Sequence, residues 1–169
     1  KGQVNEFGYK SMTSPMTLQA FDTALKTYGT MPLGTLMRPA IDYCMDGFEV
    51  RPRVHAFWLQ PAQAGRIERV AVVKELDAAR KIYLRDDGTL LNIGETLRNP
   101  DMGRLYQRIA DEGIGVFYNG DVADQIAADM KANGGLLTKD DLADCAPTKI
   151  APLKGSYRGY DVDTNQLPG

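Results

Sequence analysis

The residue types able to carry chemistry are few in this chain, and they are scattered. There is one histidine, His55, and there are two cysteines, Cys44 and Cys145. Acidic pairs stand at Asp86-Asp87 and Asp140-Asp141, and the stretch NGGLLTKDDLADC joins Gly134-Gly135 to Thr138 and Asp141. Zinc needs three or four His, Cys or carboxylate ligands at short spacings, and His55, Cys44 and Cys145 do not cluster. A lone His55 reads as a hydrogen-bonded or exposed structural residue rather than a catalyst. The cysteines form no C-x-x-C and read as free thiols. Asp86-Asp87 reads as a turn, because a calcium loop needs further acidic ligands at alternate positions. A phosphate loop needs a preceding strand and a following Lys-Ser or Lys-Thr. Gly134-Gly135 have neither and read as a helix stop, with Thr138 to Asp141 as the T-x-x-D capping box of the next helix. Asp140 and Asp141 then complement the positive end of that helix. No G-x-S-x-G occurs, and no G-x-G-x-x-G follows a strand. Accordingly no catalytic, substrate-binding or metal-ligating residue is assigned, and no cofactor is expected.

Composition agrees with an ordinary folded chain. The 169 residues are 43% hydrophobic and 25% charged, with a net charge of −2 and both signs mixed. That length supports one domain with its own core, 1–169. No basic stripe argues for nucleic acid and no basic amphipathic helix for a membrane surface. No apolar run approaches the roughly 18 residues of a membrane span. The opening KGQVNEFGYK is polar and carries no signal-peptide pattern. Lys rather than Met at position 1 is expected of a processed or truncated piece. None of this sets a compartment.

The elements that would position any site are mainly helical, over about 15–146, followed by a short β element over about 149–165. In SPMTLQAFDTALKTYG, Ser14 is expected to cap and Pro15 to take the first helical position. Leu18, Phe21, Leu25 and Tyr28 fall on one face, and Gly29 is expected to stop the helix in the left-handed conformation. A second helical pattern (Leu33, Leu36, Met37, Ala40, Ile41, Cys44) is interrupted by Pro39, where a break or kink with a fresh turn is expected. Gly47 ends it. Residues 48–65 have no clean period. RIERVAVVKELDAARKIYL is read as one helix through about Lys81, followed by an Asp-Asp-Gly turn. Asn99 and Pro100 start the next helix, with Met102, Leu105, Tyr106 and Ile109 as its apolar face and Gly113 as its end. Another begins at Asn119 or Asp121, with Val122, Ile126, Ala127 and Met130 inward. After Pro147, KIAPLKGSYRGYDVDTN reads as one or two strands. Such strands have unpaired N–H and C=O groups, and their partner is expected in sequence outside this chain.

Four stretches, in order, resemble the gamma-glutamyltranspeptidase family from about Tyr9 onward. The first is 14–50, with Tyr28-Gly29, Pro39-Ala40-Ile41 and Gly47-Phe48. The second is 94–126, with Gly94, Leu97, Arg98, Pro100, Asp101, Gly113, Phe117, Tyr118 and Gly120. The third is Gly134-Gly135-Leu136 with Thr138 to Leu142, and the fourth is Tyr157-Arg158-Gly159-Tyr160 with Val162. Two departures point to a divergent branch. The family has Val-Pro-Gly where Ser14-Pro15-Met16 stands, and a Pro-Pro-Pro-Ser-Ser-Gly run where Gln166-Leu167-Pro168-Gly169 stands. Glutathione is therefore not assumed as substrate.

The resemblance implies an N-terminal-nucleophile hydrolase, made as a precursor that cuts itself, with a four-layer α/β/β/α sandwich. This chain would be the later part of the large subunit. The new N-terminal Thr of the small subunit would attack an amide, with its own α-amine as base. That Thr lies downstream of Gly169 in the family pattern, and the Arg that grips the substrate carboxylate lies upstream of Tyr9, so neither is carried onto this chain. The implied partners are the small subunit or the remainder of the same precursor, and a small amide such as a γ-glutamyl compound. Alone, the chain is expected to be inactive and to self-associate. The alternatives are a non-catalytic helical scaffold or binding domain, and an acylase of the same mechanism acting on a non-glutamyl amide.

Overall fold

Asn99 shows how closely local chemistry sets an element boundary. Its side chain accepts from the Met102 amide at 3.1 Å, and Pro100 follows at the first helical position. The result is a helix over Pro100–Glu112 that stops at Gly113 with φ 83°. In the computed structural model, which describes residues 5–62 and 67–166, the chain is mainly helical with two small antiparallel strand pairs. In order there are α1 (Thr17–Tyr28), α2 (Leu33–Asp46), β1 (Phe48–Glu49), α3 (Pro52–Trp58), α4 (Arg69–Glu75), α5 (Asp77–Tyr83) and β2 (Thr96–Leu97). Then come α6 (Pro100–Glu112), α7 (Gly115–Tyr118), α8 (Asp121–Ala132), α9 (Lys139–Ala143), β3 (Leu153–Tyr157) and β4 (Tyr160–Thr164).

The core is built by the second half of the chain. Tyr118, Ala123 and Leu142 are fully buried, with Ile109, Val116 and Met130 around them. α2 packs along α6, where Gly34 and Gly103 let the two backbones approach; a Cβ on Gly103 would meet Met45 Sδ at 2.7 Å. The short β1–β2 pair, missed in the aperiodic stretch, ties the end of α2 to the start of α6, with Phe48 opposite Leu97 and Glu49 opposite Thr96. Val50, also fully buried, closes that junction by accepting from the Gly94 amide and donating to the Glu95 carbonyl.

Where expectation and structure agree, the cause is local. α8 begins at Asp121, and the Gly135 amide donates to the Met130 carbonyl at 2.7 Å just past its end. Thr138 and Asp141 form both halves of the capping box. The Asp-Asp-Gly turn is held by Asp87, which accepts from the Thr89 amide at 2.9 Å.

Five differences have physical causes. α1 starts at Thr17, not Pro15, and neither Ser14 nor Met16 caps it with a side chain. Its cap comes from elsewhere, as described below. Gly29 ends α1 in an extended conformation, φ −74°, not a left-handed one. Glycine is needed there because a Cβ would lie 2.3 Å from Leu25 Cδ1 and 2.4 Å from the Leu25 carbonyl oxygen. α2 runs on through Pro39 without the expected break. Pro39 is exposed, so its missing N–H leaves no buried carbonyl orphaned while the other side of α2 is held by α6. The single helix expected through Lys81 is two, divided at Leu76 with ψ 121°. Arg80 braces that joint by donating to the Lys74 carbonyl and pairing with Asp77. Finally, β3 finds its partner within the chain, pairing β4 as a hairpin from Leu153↔Thr164 to Tyr157↔Tyr160.

Candidate functional site: an uncovered apolar groove

α1 presents Leu18, Phe21, Leu25 and Tyr28 at helical spacing, and α6 presents Met102, Leu105, Tyr106 and Ile109. These two faces, with Leu33, Leu36, Met37 and Ala40 of α2 and Phe117 of α7, line one groove of about 840 Å³. Its walls are the apolar stripes that the sequence patterning marks as core faces. Only part of that surface is covered. Phe21 is 66% exposed, Tyr28 70% and Leu36 44%. A stripe of this kind on a helix forms to be buried against another layer.

One wall is held by a tertiary cap. α1 has an orphan amide at Gln19 in its first turn, and Met16 offers no acceptor. The Tyr118 hydroxyl, delivered from α7, accepts from the Gln19 amide at 3.2 Å and donates to the Pro15 carbonyl at 2.6 Å. Burial pushes this phenol above its ordinary pKa, so it stays a donor. At the other end of α1, Lys149 Nζ donates to the Tyr28 hydroxyl at 2.6 Å and lies 5.1 Å from the ring centroid. Neither contact has a signature in the sequence: the pairs are separated by 99 and 121 positions.

The hairpin forms a second uncovered surface. Arg158 and Gly159, with φ 50° and 84°, make the two-residue turn with both central φ positive that matches strand twist. Pairing register puts Leu153, Tyr157, Tyr160, Val162 and Thr164 on one face, and Lys154, Ser156, Asp161 and Asp163 on the other. Every residue of both strands is exposed, Tyr157 at 65% and Tyr160 at 76%. An Arg-Gly turn followed by a parity change was the available signal for this hairpin.

The residues examined for chemistry are not brought together. His55 sits in α3 with its ring centroid 6.2 Å from that of Trp58. Cys44 lies half-buried in α2, and Cys145 is buried beyond α9, its Sγ donating to the Asp141 carbonyl at 3.4 Å; both are free thiols. Asp140 and Asp141 belong to the start of α9 and Asp86 and Asp87 to the turn. Among the described residues, no group of three or more His, Cys, Asp or Glu is placed to hold a metal ion. The main charge network is structural: Arg108 spans Glu112 at 3.0 Å and Asp121 at 2.7 Å, joining the end of α6 to the start of α8. The hydrogen bond from Arg108 holds the Asp121 carboxyl below its ordinary range. A smaller hollow of about 310 Å³ at Pro39, Asp42, Tyr43, Asp46 and Gly47 contains two carboxylates, and Arg38 pairs with Asp42 at 2.9 Å. No helix of the described residues is long and apolar enough to cross a membrane.

Comparison with known proteins follows the same geometry. The family model described as Gamma-glutamyltranspeptidase matches residues 1–169. The chain is 35% identical to the glutathione hydrolase proenzyme of Escherichia coli over 166 residues, covering 95% of this chain and 27% of that protein. It is 32% identical to the acylase ACY 1 proenzyme of Pseudomonas sp. strain SE83 over 158 residues, covering 94% of this chain and 27% of that protein. The crystal structure of Helicobacter pylori gamma-glutamyltranspeptidase superimposes with a TM-score of 0.87 at 29% identity, covering 98% of this chain and 45% of that one. The chain thus spans about a quarter of the length of these two sequence relatives. With the full-length family match and the shared arrangement of helices and hairpin, this chain belongs to the gamma-glutamyltranspeptidase family.

Proposed function

We propose that these residues are the later part of the large subunit of a gamma-glutamyltranspeptidase-like amidohydrolase or acyltransferase, with the nucleophile outside them. The observation that carries this reading is a pair of uncovered apolar surfaces, the groove and one hairpin face, in a chain whose titratable groups converge nowhere. Helices sharing one apolar face fit one outer layer of an α/β/β/α sandwich, and an amphipathic hairpin fits the edge of its sheet. Residues 1–169 would form one domain within that sandwich, supplying scaffold and strands but no catalytic, substrate-binding or metal residue. The partner is the small subunit or the remainder of the same precursor, and the isolated chain is inactive and self-associates through its apolar surfaces.

In the complete enzyme a threonine freed by self-cleavage would attack an amide carbonyl. A bond forms between Thr Oγ and the carbonyl carbon, the C–N bond breaks, and the Oγ proton passes through the α-amine to the departing amine. Water or a second amine then takes the acyl group and regenerates the hydroxyl. The substrate class is a γ-glutamyl compound. A second reading, an acylase of the same mechanism acting on a non-glutamyl amide, draws support from the likeness to an acylase proenzyme and from Ser14-Pro15-Met16.

The test is expression of the complete reading frame, with intact mass followed over time and turnover measured on γ-glutamyl anilides and simple amides. Self-cleavage that exposes an N-terminal threonine, with turnover lost on its replacement by alanine, is expected. A product that stays uncleaved and inert overturns the enzyme reading in favour of a helical scaffold. Turnover of simple amides alone selects the acylase.

A further inference from the structure

We propose that α1 is a movable wall of the apolar groove, tethered only at its two ends and fixed in place when the remainder of the precursor fills the groove. The inference rests on the reading above for the identity of the occupant. α1 packs extensively against no other helix or strand among the described residues, whereas α2 and α6 lie tightly together. Its polar tethers are two tyrosine hydroxyls. Tyr118 holds the first turn through Pro15 and Gln19, and Tyr28 in the last turn holds Lys149. Between them the apolar stripe faces a hollow of about 840 Å³ that this chain leaves unfilled. A helix with few buried contacts opens at low free-energy cost, so its protection is set by whatever covers it. The chain spans 27% of its sequence relatives, so such proteins contain ample further sequence to provide the cover. An apolar hollow calls for an apolar occupant, and burial of Phe21 and Leu36 against it would stabilise the closed position of α1.

Lys149 gives the wall a second consequence. It precedes the hairpin by four positions, so the contact that fixes the last turn of α1 also fixes where the hairpin leaves the helical body. Filling of the groove and placement of the hairpin are therefore coupled through one bond.

The experiment is peptide-level hydrogen exchange on the full-length protein, wild type against Tyr118→Phe, Phe21→Ser and Lys149→Met. In Tyr118→Phe the Gln19 amide loses its acceptor, and amides of the first turn of α1 should exchange about tenfold faster while those of α8 are unchanged. Phe21→Ser should speed exchange along the whole of 17–28 by at least about tenfold, because it removes the main contact with the occupant. Lys149→Met should speed exchange in the last turn of α1 and in the hairpin together. The idea is overturned if Phe21→Ser leaves exchange of α1 unchanged, since the helix would then be held by this chain alone. It is equally overturned if Tyr118→Phe accelerates α1 and α8 alike, which would make Tyr118 a general core residue. A full-length protein that neither cleaves itself nor turns over amides refutes the proposed function and leaves these exchange results to be read independently.

Discussion

Leu142 and Phe21 are both large apolar side chains on helices, yet Leu142 is fully buried and Phe21 is 66% exposed. Leu142 belongs to the part of the chain from Asn99 to Cys145. There each helix is capped or stopped by its own neighbours, and Tyr118, Ala123 and Leu142 close a core. Phe21 belongs to α1, which, like the hairpin, turns an equally apolar surface outward. Hydrophobic periodicity is the same in both regions. The difference is what lies across from it, and periodicity does not encode that. The lesson is that an amphipathic pattern states a demand for burial, while the place where the demand is met can lie outside the segment in hand.

The comparison can be broken first where it predicts most. Leu142→Ala removes a side chain from the closed region and should cost about 2–5 kcal/mol, read as a lowered urea midpoint. A loss below about 1 kcal/mol would mean that this core is as loose as the groove. Tyr118→Phe comes next, at about 1–2 kcal/mol, because it leaves the Pro15 carbonyl and the Gln19 amide without their partner. Thr138→Ala should cost about 1 kcal/mol, the usual loss of a helix cap.

The capping box also makes a pH prediction. Hydrogen bonds from Thr138 hold the Asp141 carboxyl below its ordinary range, as Arg108 does for Asp121. A carboxyl depressed on folding contributes stability above its unfolded pKa, near 4, and loses it as pH falls through the lower folded value. Thermal unfolding should therefore be insensitive to these two groups from about pH 7 to 5 and become less favourable below about 4. Thr138→Ala should flatten the acid limb. An acid limb of unchanged slope in that variant would remove Asp141 from the account.

Much of the closed region was legible because its signals are local. Asn99-Pro100, Gly113 and Thr138 to Asp141 each act within four residues, and the structure has all three. The hairpin was half legible: strands were expected near the end of the chain, but the positive-φ pair Arg158-Gly159 turns the second strand back on the first. The start of α1 was misplaced because Ser14-Pro15 imitates a cap, while the true acceptor is the hydroxyl of a tyrosine brought in by folding. Pro39 was read as a break because its exposure and the grip of α6 on α2 are tertiary facts. The groove could not be read as a groove. Its lining residues were all marked as apolar faces, and nothing local says that three such faces meet around an unfilled hollow.

Phe21→Ser sharpens the comparison because its smallest effect is the informative one. In this 169-residue chain the ring is mostly in water, so its removal should change the urea midpoint by no more than about 0.5 kcal/mol, as for an ordinary surface position. In the full-length protein the same substitution should cost several times more, since the ring would then be buried against the groove's occupant and its loss would forfeit apolar area and leave a cavity. Two equal small effects would mean that Phe21 faces solvent in both settings and that α1 needs no cover. Two equal large effects would mean that this chain already closes over the ring, most simply by association of its copies, and light scattering during the same titration separates that case from burial within one chain. Only the split result, small alone and large in the whole protein, is what a helix layer awaiting its neighbour produces.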